Sequence, residues 1–296
     1  AHQVPQAGSG LMLNRSYVGR FAPSPTGRLH LGSMVAAVAS WLDARAHKGT
    51  WLVRMEDLDP PREIPGAAQD ILQTLLAFGL TWDGEVAYQS QRGHLYQAGL
   101  DELRSNHQAF GCICTRKQLQ VDRKEGNNRY PGTCRYGLPS GVQPRSFRFL
   151  MPEGQQLSWI DRCAGDQCHG SDDIGDIIIK RTDGHWAYHL AVVIDDADQG
   201  ITHVVRGADL LDSTPIHLAL QQALGLSPLV YAHIPLVVND QGQKLSKQTM
   251  ALPVEIDEKE GIMKQVLTHL GMVDIQSNTL SGLLDEGVAW WRKARL

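Results

Sequence analysis

The 296-residue chain has no apolar run approaching the ~20 residues that cross a bilayer. Its opening decapeptide, Ala-His-Gln-Val-Pro-Gln-Ala-Gly-Ser-Gly, has neither a charged n-region nor an apolar h-region, so the expected location is the cytoplasm, with no membrane partner. Basic charge is not in excess: 28 Lys and Arg face 32 Asp and Glu, a net charge of -4, which argues against a broad phosphate-binding surface but not against a local basic groove. No GxxxxGK[ST], no GxGxxG after a strand and no HExxH occurs, so the common phosphate-cradling loops and the helical zinc-protease site are excluded. No repeat of solenoid period is present. Cysteines number five, at 112, 114, 134, 163 and 168; an odd count clustered in mid-chain does not fit a secreted disulfide framework and raises metal binding against reduced thiols.

What is present is a soluble-type composition, 42% apolar and 20% charged, ample for a large core. Residues 1–15 lack periodicity and read as a mobile lead. From Ser16 the pattern runs strand, Pro-rich loop, helix (32–48), strand (51–55), helix (64–78), the start of a parallel α/β sheet. Residues 108–170 are rich in Gly, Pro, Arg and Cys and read as an insertion. Sheet-like sequence resumes at 177–179, 188–194 and 201–205, followed by a helix over 213–224, a strand over 234–238 and helices over 253–271 and 283–294. The implied division is a catalytic half at 16–107, the insertion at 108–170, a second catalytic half at 171–250 and C-terminal helices at 251–296.

Two short elements carry the chemistry. In Arg20-Phe21-Ala22-Pro23-Ser24-Pro25-Thr26-Gly27-Arg28-Leu29-His30-Leu31-Gly32-Ser33 a strand end, a proline-stiffened loop and a helix N-terminus converge, where an anion meets free N–H groups and the positive end of the helix dipole. Alone, His-Leu-Gly-Ser is more simply a helix cap. Lys244-Leu245-Ser246-Lys247-Gln248, far downstream, is a lysine pair suited to closing over a polyphosphate.

Together these elements resemble the paired HIGH and KMSKS signatures of class I aminoacyl-tRNA synthetases. With Arg54 to Asp59, Leu80 to Asp83, Tyr88 to Arg92, Asp195-Asp196, Gly200 to Asp209 and Thr214-Pro215, they resemble the glutamyl-tRNA synthetase family over about residues 18–250. The resemblance implies a Rossmann-like doubly wound parallel sheet with its site at the carboxyl ends of the strands. It implies that Arg20, Phe21, Ala22, Pro23 and Ser24 line a glutamate site, that Glu56 receives the substrate ammonium, and that Tyr188 and Arg206 complete the pocket. For Glu56 and Arg206 the plainer alternative is a structural ion pair. His30, Gly32, Ser33 and Lys247 would hold ATP with Mg²⁺, and His30, Lys244 and Lys247 would be the catalytic group, the lysines neutralising the departing pyrophosphate. Ser33 stands where the signature usually ends in histidine, and His189, after Tyr188, is a variation without an assigned role.

Only 48 residues follow Gln248, which points to the truncated branch of the family, the glutamyl-queuosine tRNA(Asp) synthetases. The implied partners are L-glutamate, ATP and tRNA(Asp) carrying queuosine, and the expected state is a monomer. Glutamylation of a tRNA 3′ end and an inactive RNA-binding module are the alternatives. Cys112, Cys114 and Cys134 leave one place in a tetrahedral Zn²⁺ shell, which the resemblance gives to Tyr130; Cys163, Cys168 and His169 are rivals, and three metal-free thiols the bland reading. His185 and His189 have helical metal spacing but lie in a strand-like stretch. Trp290 to Arg295 fits a terminal helix with a buried Trp face better than an RNA contact. Arg123, Lys124, Arg129 and Arg135 make the insertion locally basic.

Overall fold

The computed structural model describes residues 16–122, 128–235 and 250–296. The 1–15 lead, Arg123, Lys124 and the whole Lys244 to Gln248 signature lie outside them.

The strands are β1 (Val18–Phe21), β2 (Thr50–Met55), β3 (Ala87–Tyr88), β4 (Ala109–Cys112), β5 (Ser146–Phe149), β6 (Gln156–Asp161), β7 (Gly165–Gly170), β8 (Ile178–Lys180), β9 (His203–Gly207) and β10 (Val230–Ile234). The helices are α1 (Leu31–Ala46), α2 (Ala67–Ala77), α3 (Gly93–Ser105), α4 (Arg116–Asp122), the single turn α5 (Ser171–Ile174), α6 (Tyr188–Asp198), α7 (Thr214–Ala223), α8 (Lys259–His269) and α9 (Leu280–Arg295).

Strands β1, β2 and β3 pair in parallel, Arg20 opposite Leu52 and Met55 opposite Tyr88; β9 and β10 pair in parallel with Arg206 opposite His233. The two groups join at β1 and β9, where the Thr202 N–H donates to the Val18 carbonyl at 2.9 Å and the Val18 N–H to Thr202 Oγ1 at 2.9 Å. With these starts tied together and Phe21 and Arg206 lining one pocket, β1 and β9 run the same way. The order is therefore β3, β2, β1, β9, β10. The chain builds outward from β1 in one direction and resumes at β9 in the other, and a crevice opens between β1 and β9 at their carboxyl ends, the place where open parallel sheets bind ligands.

Helix α1 is buried nearly all round, unlike a surface helix with a single apolar stripe. Its Met34, Val35, Val38 and Leu42 share one core with Trp51 and Val53 of β2, Leu267 of α8 and Leu283 and Trp291 of α9. The C-terminal helices thus complete the sheet's cover. Their bounds fall inside the helical stretches read from the sequence at 253–271 and overlap that at 283–294. Trp291 is 2% exposed, so the terminal Trp pair serves the core.

A second sheet, β4-β5-β8, is antiparallel and spans residues 109–180, and β6-β7 is a separate antiparallel hairpin. The hairpin returns to the main sheet, where the Arg162 N–H donates to the Tyr231 carbonyl at 3.0 Å.

One sequence expectation is corrected. Residues 188–194 are not a strand but the first two turns of α6. An apolar run of that length has no decisive period, and what fixes the helix is burial of Asp195 and Asp196 on one side against arginines and of Leu190 and Val193 on the other. Among the described residues the strand beside β9 is Val230–Ile234, its first residue opposite the first of β9, and the strand expected over 234–238 lies from 236 onward outside the described set.

Candidate active site and cysteine cluster

The crevice is a cavity of about 850 Å³. It is lined by every described residue implicated above in glutamate or ATP binding: Arg20, Phe21, Ala22, Pro23, Ser24, His30, Gly32, Ser33, Glu56, Tyr188 and Arg206. They arrive from five strand and helix ends. The 21–24 run leaves β1, His30 to Ser33 open α1, Glu56 follows β2, Tyr188 opens α6 and Arg206 stands one residue before the end of β9. The Glu56 N–H donates to the Pro23 carbonyl at 2.9 Å, which locks the two strand ends side by side.

Glu56 and Arg206 do not pair. Among the described residues neither forms a salt bridge, and Glu56 Oε2 is buried without a hydrogen-bond partner. Burial pushes the Glu56 carboxyl up to about 7 despite the pull of Arg54 and Arg20. Those two guanidiniums are engaged elsewhere. Arg20 grips Asp196 through Nε and Nη2, both at 3.0 Å, and Arg54 adds a bond to Asp196 at 2.9 Å and one to Gln199 at 2.7 Å. Asp196 is held down to about 2: burial opposes ionisation, and the two arginines outweigh it. Arg20 therefore lines the pocket with its charge already balanced. Asp195 is bound by Gln89, Arg92 and Tyr96 at 2.9, 2.6 and 2.6 Å. The Asp-Asp pair of α6 is the anchor on which the first two strand ends rest.

Arg206 has a different environment. It reaches His233, Thr214, His217 and the Tyr188 hydroxyl, and no carboxylate. His233 is in turn bonded to Asp161 of the hairpin. His217, His233 and Asp161 carry no sequence signal, since Asp161 and His233 are 72 residues apart and each sits in an ordinary strand.

At the α1 N-terminus the geometry modifies the anion-site expectation. His30 is the N-cap: its Nδ1 accepts the Ser33 N–H at 3.1 Å, and Ser33 Oγ lies 2.9 Å from His30 Nε2. The Leu31 N–H donates to the Leu252 carbonyl at 3.0 Å. Among the first three N–H groups only that of Gly32 has no partner among the described residues, so the first turn offers fewer free donors than a bare helix end. Gly32 lets this turn pack closely, since a Cβ there would crowd His30 Nδ1 at 3.3 Å and touch the Met250 carbonyl at 3.5 Å. Met250 to Glu255, which follow the lysine signature, thus pack on this turn, and Glu255 pairs with Arg28 at 3.1 Å.

In the second sheet, the sulfurs of Cys112, Cys114 and Cys134 lie within 4.8 Å of one another, and the Tyr130 hydroxyl is 3.5 Å from both Cys112 and Cys114 Sγ. Three soft donors with an oxygen closing the set match a tetrahedral Zn²⁺ shell in number and kind. The Arg148 guanidinium lies 3.8 Å over the Tyr130 ring. Burial raises the Cys112 thiol, but bonds from Tyr130 and Arg148 bring it to about 7, toward the thiolate a metal requires. The rival ligands are elsewhere: Cys163 packs on the main core, Cys168 is exposed beside Gln156, and His169 stacks on Trp159 at 5.5 Å. His185 lies outside α6, so the His185 and His189 pair is not a helical metal site. Arg135 is paired with Asp176 at 3.1 Å and with Glu153, which balances its charge. Among the described residues no helix is long and apolar enough to cross a membrane.

A family model described as tRNA synthetases class I (E and Q), catalytic domain, matches residues 17–274. The chain is 49% identical over 291 residues to a glutamyl-Q tRNA(Asp) synthetase of Chromobacterium violaceum, covering 96% of this chain and 97% of that protein. It is 56% identical over 257 residues to the Thiobacillus denitrificans protein of the same name, covering 86% and 85%. A glutamate tRNA ligase of Elizabethkingia meningosepticum, solved with its amino acid, superimposes with TM-score 0.77 at 25% identity over 93% of this chain and 64% of that one. The glutamate-tRNA synthetase of Elizabethkingia anophelis superimposes with TM-score 0.70 at 28% identity over 79% of this chain and 53% of that one, so the chain spans about half to two-thirds of these solved relatives. A parallel sheet with its crevice at the strand ends, and relatives matched over nearly their full length, converge on one conclusion: the chain belongs to the class I tRNA synthetase (E and Q) family, among the glutamyl-Q tRNA(Asp) synthetases.

Proposed function

We propose that this chain activates L-glutamate with ATP and transfers it to queuosine in the anticodon loop of tRNA(Asp), as the names of its relatives imply. The observation that carries the reading is that, among the described residues, one cavity is lined by a carboxylate with no cation paired to it and a guanidinium with no carboxylate paired to it. Among these, Glu56 lines the cavity with no salt bridge and one buried oxygen left unbonded, and Arg206 keeps one N–H for the pocket and meets no carboxylate. An amino acid with one ammonium and two carboxylates satisfies both.

In the reaction the glutamate α-carboxylate attacks the α-phosphorus of ATP, pyrophosphate leaves, and the mixed anhydride remains. The protein's task is positioning and charge stabilisation. Glu56 fixes the ammonium, Arg206 and Tyr188 fix a carboxylate, and the Arg20 to Ser24 wall shapes the cavity. His30, Gly32 and Ser33 face the ATP phosphates, and Lys244 and Lys247 are assigned to the departing pyrophosphate, with Mg²⁺ accompanying the nucleotide. Zn²⁺ is assigned to Cys112, Cys114, Tyr130 and Cys134, where it would tie β4 to the 130–134 turn and contribute folding energy. The 108–170 segment is proposed as the tRNA-facing subdomain between the catalytic halves, the 251–296 helices as cover rather than a separate anticodon reader, and the working unit as a cytoplasmic monomer.

The test is ATP–pyrophosphate exchange with glutamate in the absence of tRNA, followed by glutamylation of queuosine-containing tRNA(Asp) against tRNA(Glu). Exchange and labelling of the former are expected. No exchange overturns the activation step, and labelling of tRNA(Glu) alone moves the acceptor to a 3′ end. Metal analysis expects one zinc per chain, and unchanged affinity in Tyr130→Phe removes the tyrosine from the shell.

A further inference from the structure

Arg206 is more fully bonded inside the protein than a carboxylate clamp needs to be, and the pattern of those bonds has a direction. A guanidinium has five N–H donors and never accepts. The Nε–H goes to His233 Nε2 at 3.2 Å, and the two Nη2 hydrogens go to Thr214 Oγ1 at 2.8 Å and His217 Nδ1 at 3.2 Å. One Nη1 hydrogen points to the Tyr188 oxygen at 3.4 Å, which leaves one Nη1–H and the Tyr188 O–H for the pocket.

Each imidazole nitrogen that faces Arg206 must be the accepting one. His233 then carries its proton on Nδ1, where it meets the Asp161 carboxylate. His217 carries its proton on Nε2 and donates to His189 Nδ1 at 3.0 Å. His189 is left with a proton on Nε2, its ring lines the active-site cavity, and none of the described residues accepts from that nitrogen. Burial and the charge of Arg206 keep His217 well below its ordinary value and His189 at about 4, so neither ring is charged at neutral pH and the tautomers stand.

We propose that this relay makes His189 a specificity determinant for the amino acid. Its Nε2–H, the Tyr188 O–H and the last Arg206 N–H present three donors to the substrate side chain, which a carboxylate accepts and a carboxamide does not. Glutamine has nearly the shape of glutamate, but its amide nitrogen brings hydrogens toward donors and forfeits a bond in a pocket where an unmade bond is costly. A free imidazole would exchange tautomers to accommodate the amide. Here the exchange is blocked, because reversing His189 requires reversing His217, which then turns an N–H against a permanent cation. The inference rests on the glutamate-activation reading above.

The test uses the full chain and pyrophosphate exchange with glutamate and with glutamine. His189→Leu is expected to raise the glutamate KM about 10- to 100-fold, the range for a hydrogen bond to a charged group, with the ATP KM and kcat near wild type. His189→Gln, whose amide both donates and accepts, is expected to keep most glutamate affinity and lose discrimination against glutamine. Wild-type discrimination in His189→Gln overturns the proposal, even if His189→Leu fails to fold. So does a parallel rise of the glutamate and ATP KM in His189→Leu, or no rise. Absence of glutamate-dependent exchange in the wild type refutes the activation reading instead.

Discussion

The two ends of the parallel sheet each bury a carboxylate, and they treat it in opposite ways. At the amino ends, Asp43 of α1 is fully buried and saturated: it accepts from the Tyr17 hydroxyl at 2.5 Å, from both Arg162 Nη atoms at 2.7 and 2.8 Å, and from Trp291 Nε1 at 2.8 Å. Burial pushes its carboxyl up, but the Arg162 bonds prevail and hold it below its ordinary value. At the carboxyl ends, Glu56 has a buried oxygen with no partner and a carboxyl raised to about 7. Asp43 joins β1, α1, the hairpin and α9 into one unit. Glu56 joins nothing until a ligand arrives. A buried carboxylate with every lone pair used is a fastening, and one left short is a receptor, because the cost of leaving it unpaired is recovered only on binding.

The comparison is broken most directly at Glu56. Glu56→Gln is expected to lose about 2–5 kcal/mol of substrate binding, ~30- to ~5000-fold in glutamate kcat/KM, the range for truncating one partner of a buried charge pair. Its thermal stability should be equal to or above wild type, since an ionised group without partners is removed. A fall in Tm would make Glu56 structural after all. Asp43→Asn is the mirror experiment. With Arg162 a quarter exposed, the expected loss is at the low end for a broken buried pair, about 3 kcal/mol in urea denaturation, with exchange kinetics of the folded enzyme unchanged. Tyr17→Phe removes one of the bonds to Asp43 and should cost about 1.5 kcal/mol in the same assay. If it costs as much as Asp43→Asn, the tyrosine rather than the arginine is the main fastening.

The receptor end was more legible in the sequence than the fastening end, for a physical reason. Arg20 to Ser24, Glu56 and Arg206 sit where strands stop, and strand ends in a parallel sheet are collected at one crevice by topology, so short local runs suffice to place them. The lysine signature was equally legible as a motif but lies outside the described residues. The cysteine spacing likewise survives folding, because Cys112 and Cys114 leave one strand end and Tyr130 and Cys134 share one turn. The Asp43 cluster was not legible: Asp43 and Trp291 are 248 residues apart, and each looked like an ordinary member of an amphipathic helix. The relay behind Arg206 was hidden the same way. Helix α6 was misread as a strand because its apolar residues are buried on several sides, which erases the period that separates helix from strand.

The mildest perturbation, pH, should separate the two ends. Glu56 receives an ammonium only when ionised, and its carboxyl titrates at about 7, above its ordinary 4.5. Glutamate affinity measured by calorimetry should therefore fall as pH drops through 7, by about tenfold, ~1.4 kcal/mol, for each unit below it. Glu56's own contribution to stability should move the other way over that interval, against the opposite contribution of His189, His203 and His217, whose burial keeps them neutral and which oppose folding as pH falls below 6.5. A group raised in the folded state binds more protons there than in the unfolded chain, so acidification from pH 7 toward 5 relieves the cost of holding Glu56 ionised. Asp43 has the reverse sign: its contribution is present above its ordinary 3.8 and is lost only as pH falls below that, through its lowered folded value. The stability gained by Glu56→Gln should therefore shrink as pH falls from 7 toward 5, a difference in which the histidines cancel, while glutamate binding by the wild type weakens over the same window. A Glu56→Gln gain that stays constant from pH 7 to 5, or one that Asp43→Asn abolishes, would show that the two carboxylates do not titrate independently, and that the ends of the sheet are not energetically distinct.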